Sequence, residues 1–301
     1  MPTLERLLAD EHDVALVVTQ PDRPQGRGLQ LTESPVKQLA LSRSLPITQP
    51  EKIKNNHAFR AQLEAIAPEA IIVVAYGRIV PPWMLELPRH GNLNLHASLL
   101  PKYRGAAPIQ WAIANSETVT GNTIMRIDEG LDTGDILLMR EMPIAPDDTS
   151  LTLAPRLAAM GADLMAETLL ALARNALTPR RQDDSQASLA PILSKADGEI
   201  DWKRPAKQIH DRFRGFQPWP GAFTSFRGKK LTVHACHLIS DPAFDAEPGT
   251  TLIDHRGDLS VVCGDEQFLT IDELQLEGKK RVTAAQFISG YRLKSGELLG
   301  R

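Results

Sequence analysis

The chain has 301 residues, 42% of them hydrophobic and 24% charged, with a formal net charge of −3. Such a length suits about two domains of ordinary size, and the composition is globular rather than disordered. The charge excludes a global positive field for holding nucleic acid, no run of about 18 apolar residues marks a membrane span, and the opening MPTLERLLADEHD reads as neither a secretory signal nor a transit peptide. Two cysteines, Cys236 and Cys263, are too few for a disulfide framework or a Cys-based zinc site. They read as small core residues, and the chain as a soluble protein of the reducing cytoplasm.

In chain order, Pro2–Asp10 predicts a short helix with Leu4, Leu7 and Leu8 on one face and Pro near its start. Val14–Val18 predicts a strand, Pro35–Arg43 a helix, Leu45–Ile47 a short strand and Asn56–Ala67 a helix. Ala70–Ala75 (AIIVVA) reads as a buried strand, Asn92–His96 as another, and Ala107–Asn115 as a helix. Thr123–Ile127 and Asp135–Pro143 follow as strands, and Ser150–Arg174 as one long amphipathic helix. Strands separated by helices imply an α/β domain with a mostly parallel sheet covered on both faces. The polar, aperiodic stretch Pro179–Ala190 reads as linker. Beyond it, Pro205–Phe216 suits a helix with Ile209, Phe213 and Phe216 inward. Short strands at Ala222–Arg227, Lys230–Leu238, Thr250–Asp254, Leu259–Val262 and Phe268–Gln275 suggest a small antiparallel barrel or sandwich, closed by a helix at Arg281–Tyr291. The domains are therefore set at 1–178 and 195–301, joined by 179–194.

Candidate chemistry concentrates in Asn92–Gln110, NLNLHASLLPKYRGAAPIQ. Asn94 and His96 lie two apart, so on a strand they share a face. Beyond the carboxyl end of such a strand lies the ligand crevice of an open α/β sheet. Alone, the pair reads more readily as a strand-end amide and imidazole satisfying loop backbone, because spacing selects little. The segment Asp128–Asp135, DEGLDTGD, holds four carboxylates and two glycines in eight residues. It is either a solvated acidic turn or the source of a carboxylate that orients His96, which would raise the basicity of the imidazole. It fails the EF-hand template. No GxGxxG, P-loop or GxSxG elbow occurs, and His234 and His237, three apart on a strand, face opposite sides.

Taken together, Asn94-Leu-His96, Ser98-Leu-Leu-Pro101, Arg104-Gly-Ala-Ala-Pro108 and Gly130-Leu-Asp132-Thr-Gly134 resemble the folate-dependent formyltransferases. The segments Thr19–Gly28 (TQPDRPQGRG), Ser34–Lys37, Phe216–Pro220 (FQPWP) and Gly278–Arg281, with Phe287, place the resemblance in the tRNA-formylating branch, and it runs in order along essentially the whole chain. The resemblance implies a Rossmann-like catalytic domain followed by an OB-like β-barrel domain that supports tRNA binding. It implies formyl transfer from 10-formyltetrahydrofolate to the α-amine of methionyl initiator tRNA, with no metal and no covalent nucleophile. On this chain, Asn94 matches the donor to the formyl oxygen. His96 matches the residue that stabilises the oxyanion and takes part in proton movement, and Asp132 its carboxylate partner. Ser98, Leu99, Leu100 and Pro101 match a folate-facing segment. Tyr76, Gly77, Arg78, Ile79 and Val80 match the stretch whose backbone lines the pterin pocket. Gln20–Leu31, with Arg23 and Arg27, matches the loop that contacts the tRNA acceptor end; without the family it is an ordinary solvent loop. Leu29, Gln30 and Leu31 stand where lysines are expected, which weakens the electrostatic pull of that loop. Arg204, Lys207, Arg212, Arg214, Lys229 and Lys230 could add phosphate contacts. A monomer is expected.

The family begins with a strand and a Gly-Thr-Pro-type turn ahead of the helix that opens this chain. The expectation is that this strand is missing, that its two neighbours carry unpaired edges, and that part of the folate crevice is lost. The rival readings are a formyltransferase acting on glycinamide ribonucleotide or an amino sugar, a formyl-folate hydrolase or dehydrogenase module, and an inactive chain that binds folate or tRNA.

Overall fold

Proline at the first helical position and leucines three and four apart start the chain as a helix, α1 (Pro2–Ala9), which buries Leu7. A computed structural model describes residues 1–25, 30–239 and 245–300. They form two compact units. The first comprises residues 1–108, 119–143 and 154–191; the second comprises 109–118, 144–153 and 192–301.

In the first unit, β1 (Val17–Val18) is followed by a hairpin of β2 (Arg23–Gln25) and β3 (Gln30–Thr32), then α2 (Pro35–Ser42), β4 (Ile47–Thr48) and α3 (His57–Ile66). Both helices are capped by side chains: Ser34 Oγ accepts from Lys37 N and Asn56 Oδ1 from Phe59 N. Next come β5 (Ile71–Val73), α4 (Pro82–Leu85), β6 (Asn92–His96), β7 (Val119–Arg126), β8 (Ile136–Pro143) and, from residue 154 on, α6 (Ser150–Ala173); α5 (Pro108–Ala114), between β6 and β7 in the chain, falls in the second unit from residue 109. β1 pairs with β4 in parallel, and a four-stranded sheet runs β5-β6-β7-β8. Its β5/β6 pair is parallel; β7 and β8 extend it as antiparallel strands, so the sheet is mixed. Leu93 and Ile124 of the sheet bury against Leu164, Met165 and Leu172 of α6. Phe59 and Leu63 of α3 pack with Val80 and Met84, and with half-buried Val18 and Ile71.

Among the described residues, β1 pairs only with β4 and β5 only with β6, so each has an edge without a ladder partner. The consequence is measurable in β5. AIIVVA reads as a buried strand, yet Ile71, Ile72 and Val73 are half-buried and Val74 is exposed. A strand at a sheet edge lacks the flanking neighbour that would cover it.

The second unit contains α7 (Ala206–Gly215), β9 (Ala222–Phe226), β10 (Lys229–Ile239), β11 (Thr251–Ile253), β12 (Leu259–Val262), β13 (Phe268–Leu276), β14 (Val282–Thr283) and α8 (Ala284–Tyr291). The sheet order is β11-β12-β13-β10-β9, with β14 on β13 and all pairs antiparallel. The antiparallel pairing matches the small β-domain read from the sequence; among the described residues no ladder joins β9 to β11, so the sheet stays open. Its inner face buries Phe226, Leu231, Val233, Val261 and Leu274 against Phe287 of α8. Thr283 explains why α8 begins later than Arg281. Its hydroxyl accepts from Gln286 N while Gln286 Oε1 accepts from Thr283 N, a capping box that releases 282–283 to the sheet. Burial pushes the Cys263 thiol up to about 12 and raises that of Cys236 as well, so neither offers a thiolate. No helix among the described residues is long and apolar enough to cross a membrane.

Candidate active site

The alternation in NLNLH fixes the site. Leu93, fully buried, points into the core beneath α6, and the opposite face of β6 therefore carries Asn92, Asn94 and His96. Asn92 Nδ2 donates to the carbonyls of Met84 (2.7 Å) and Leu85 (3.3 Å), tying the start of the strand to α4. Asn94 and His96, further along, both approach Asp132. Asn94 Nδ2 lies 3.4 Å from Asp132 Oδ1, and His96 Nδ1 lies 3.7 Å from Asp132 Oδ2.

His96 and Asp132 are each fixed from behind. His96, 5% exposed, places Nε2 2.8 Å from the carbonyl of Tyr103. A carbonyl only accepts, so Nε2 carries hydrogen and Nδ1 is the nitrogen left to face the carboxylate. Asp132 sits at φ +53°, a left-handed conformation that Asp tolerates better than most residues. Its Oδ2 accepts from Gly105 N at 2.8 Å. Gly105 has φ +120°, and a Cβ there would stand 2.7 Å from the Ala190 carbonyl, so only glycine brings this N–H to the carboxylate.

The turn after β6 is held by its own polar groups. Thr123 Oγ1 donates to the Ser98 carbonyl (2.7 Å) and accepts from Leu100 N (3.1 Å), and Ser98 Oγ donates to the Lys102 carbonyl (2.6 Å). Ser98 and Leu100 are thereby buried supports of the turn, and Leu99 and Pro101 are its half-exposed members. The second candidate segment is looser. Tyr76 and Arg78 are half-buried, Val80 is buried, Gly77 is exposed and Ile79 is 90% exposed. One side chain, missed from the sequence, anchors this segment: Gln20 Nε2 donates to the Tyr76 carbonyl and Gln20 Oε1 accepts from Arg78 Nε, both at 2.8 Å.

The loop expected at Gln20–Leu31 carries the β2/β3 hairpin, with Arg23 paired opposite Thr32 and exposed. Arg27 lies outside the described residues. At the base of the hairpin, Lys37 pairs with Asp22 and holds that carboxyl below its ordinary range, with help from Gln49.

Among the basic residues proposed for phosphate contact, Arg214 is corrected. It is buried and bonds Asp211 (2.6 Å) and the Asp148 carbonyl (2.5 Å), so its charge is spent inside the unit. Arg212 lies over the rings of Trp111 and Phe216. Arg204, Lys207, Lys229 and Lys230 remain exposed. His234 and His237 each take a separate partner, Gln275 and Asp272. Among the described residues no cluster of three or more His, Cys, Asp or Glu could hold a metal ion.

The segment expected as linker is bonded along its length. Arg180 pairs with Ile136 through two 2.8 Å backbone bonds. Ser188 Oγ accepts from Tyr103 N (2.9 Å) and the Ser188 carbonyl from Arg104 N (2.8 Å). Ala190 N donates to the Arg104 carbonyl (2.7 Å). Gln182 reaches the Asp132 loop itself. None of these residues announces itself in the sequence, because a strand-like strap with polar side chains turned inward has no apolar period.

Comparison with known proteins agrees with this geometry. Residues 3–169 match the family Formyl transferase, and residues 192–292 the family Formyl transferase, C-terminal domain. The methionyl-tRNA formyltransferase of Acidobacterium capsulatum is 62% identical over 300 residues, covering 100% of this chain and 96% of that protein. The methionyl-tRNA formyltransferase of Koribacter versatilis is 58% identical, with 100% and 95% covered. Among solved structures, the sugar 3N-formyl transferase WlaRD, crystallised with dTDP and 5-N-formyl-THF, aligns with a TM-score of 0.66 at 18% identity, covering 93% of this chain and 94% of that one. The N-formyltransferase of Helicobacter canadensis aligns at 0.65 and 20%, with 89% and 93% covered; both share the fold. With both domain families matched in order and full-length relatives at such identity, the chain belongs to the formyltransferase family, in its methionyl-tRNA formyltransferase branch.

Proposed function

We propose that the chain transfers the formyl group of 10-formyltetrahydrofolate to the α-amine of methionyl initiator tRNA, in the cytoplasm and as a monomer. The observation that carries this reading is the convergence of Asn94 and His96 on Asp132 at the carboxyl end of β6, in a chain so similar to enzymes of that name.

The reaction forms a bond between the amine nitrogen and the formyl carbon and breaks the bond from that carbon to the folate nitrogen. The amine gives up a proton and the folate nitrogen gains one. Asn94 Nδ2 is a donor for the formyl oxygen as negative charge develops on it. His96, with Nε2–H committed to Tyr103, works through Nδ1; protonated there, it stabilises the oxyanion and moves the proton with Asp132 as partner. Gly105 N–H keeps the Asp132 carboxylate aimed at that nitrogen. Ser98–Pro101 and Tyr76–Val80 hold the folate; the backbone of Tyr76–Val80 lines the pterin pocket and the exposed Ile79 side chain packs on the ligand. Arg23 and Arg27 contact the tRNA, where guanidinium groups suit phosphate. Residues 1–178 act as catalytic domain, 179–194 connect, and 195–301 support the tRNA.

The test is transfer of labelled formyl from 10-formyltetrahydrofolate to methionyl initiator tRNA by the 301-residue chain, with a dTDP-linked amino sugar as rival acceptor. Formylated tRNA and unmodified sugar are expected. Formylated sugar with unmodified tRNA would move the chain to the branch whose fold it shares. Silence with both acceptors, from folded protein, would leave neither assignment standing.

A further inference from the structure

Two loops surround the Asn94–His96–Asp132 cluster: 103–105, which gives His96 its carbonyl and Asp132 its N–H donor, and 132–134, which carries the carboxylate itself. One side chain joins them. Gln182, 6% exposed, uses its amide nitrogen to donate to the carbonyls of Asp132 and Gly134, both at 2.8 Å. Its amide oxygen accepts from Arg104 Nε at 3.1 Å and Nη2 at 2.8 Å. Arg104 is itself 7% exposed and bonds Asp184 at 2.7 Å. Both amide hydrogens and both lone pairs of Gln182 are thus engaged, which is the full capacity of the group.

The placement is specific to the reacting region. The two carbonyls that Gln182 holds are that of Asp132 itself and that of Gly134 two residues on, and a buried, fully satisfied polar network is rigid. Arg104 is the residue between Tyr103, whose carbonyl fixes the His96 ring, and Gly105, whose N–H fixes the Asp132 carboxylate. A change in the Gln182 amide therefore shifts the two halves of the cluster relative to one another.

We propose that Gln182 is a positioning residue for formyl transfer, which locks the Asp132 loop to the Tyr103–Gly105 loop and so sets the distance between carboxylate and imidazole. The proposal rests on Asp132 being catalytic. Gln182→Glu keeps the length and the oxygen that faces Arg104, but puts an acceptor where two carbonyls need a donor. The expected result is a kcat lowered about 10-fold or more, with KM for formyl donor and tRNA within about twofold of parent, as follows when geometry rather than binding is lost. The decisive measurement is the double-mutant cycle with Asp132→Asn. In the Asp132→Asn background, Gln182→Glu should change kcat by less than about twofold, because the group it positions is gone. Gln182→Met carries the same cycle where the glutamate variant does not fold.

Equal fold-losses in both backgrounds would overturn the proposal and leave the catalytic reading of Asp132 standing, since Gln182 would then be a general structural support. An unchanged kcat in Gln182→Glu would overturn it too. Near-parent kcat for Asp132→Asn alone would remove the reading of the site itself, and the proposal with it.

Discussion

The two walls of the candidate site are built on opposite principles. The wall carrying Asn94, His96 and Asp132 is closed: its strand is flanked on both sides, by β5 and β7, and hydrogen bonds with the Tyr103 carbonyl, Gly105 N–H and the Gln182 amide fix His96 and Asp132 before any ligand arrives. The wall carrying the β2/β3 hairpin and Tyr76–Val80 is open. It hangs on β1 and β5, each with an unpartnered edge among the described residues, and Gln20 holds Tyr76 and Arg78 from one side. The difference separates two tasks. Groups that must stabilise a transition state have to be aimed in advance, whereas groups that embrace a large substrate can be covered by it. Changes in the closed wall should therefore lower kcat, and changes in the open wall should raise KM.

The largest expected effect is at Asp132. Asp132→Asn keeps the shape and the acceptor for Gly105 N–H but removes the charge facing His96 Nδ1. Steady-state kinetics should show kcat lowered about 100-fold or more, as loss of an acid–base partner does. A change confined to KM would break the comparison at its strongest point. Arg27→Ala comes next. A guanidinium in the Gln20–Leu31 segment serves tRNA and not folate on this reading. So kcat/KM for tRNA should fall about 10-fold, the worth of a single charge-assisted hydrogen bond, while folate binding holds. Equal damage to folate binding would mean that the segment belongs to the other pocket.

Much of the closed wall was legible in the sequence. Alternation in NLNLH put Asn94 and His96 on one face, because a period-2 strand states its own orientation, while Asp132 was singled out among the four carboxylates of DEGLDTGD only by the family resemblance. The devices that aim these groups were not legible. Gln182 and Ser188 sit in a segment whose polarity reads as linker, since side chains bonded to loop carbonyls leave no periodic trace. Burial was misjudged for the same kind of reason. AIIVVA has the composition of a central strand, but the exposure of β5 is decided by what lies beside it. Arg214 looks like a surface cation until Asp211, three residues before it on the same helix, is seen to hold it inside.

The smallest effect expected is the most direct test of the open wall. Ile79 is 90% exposed, so its side chain adds almost nothing to the folded protein, and Ile79→Ala should leave stability within about 0.5 kcal/mol in thermal unfolding. A bulky apolar group left in water beside Tyr76 and Val80 gains only when something covers it. If that cover is the folate, the variant forfeits the burial of a few methyl and methylene groups, each about 0.8 kcal/mol when fully covered. Partial cover gives about 1 kcal/mol, or a KM for the formyl donor raised about fivefold with kcat unchanged. A lowered kcat at unchanged KM would place Ile79 in the aimed half of the site. An unchanged KM would mean that the folate approaches along the backbone alone and leaves this side chain in solvent.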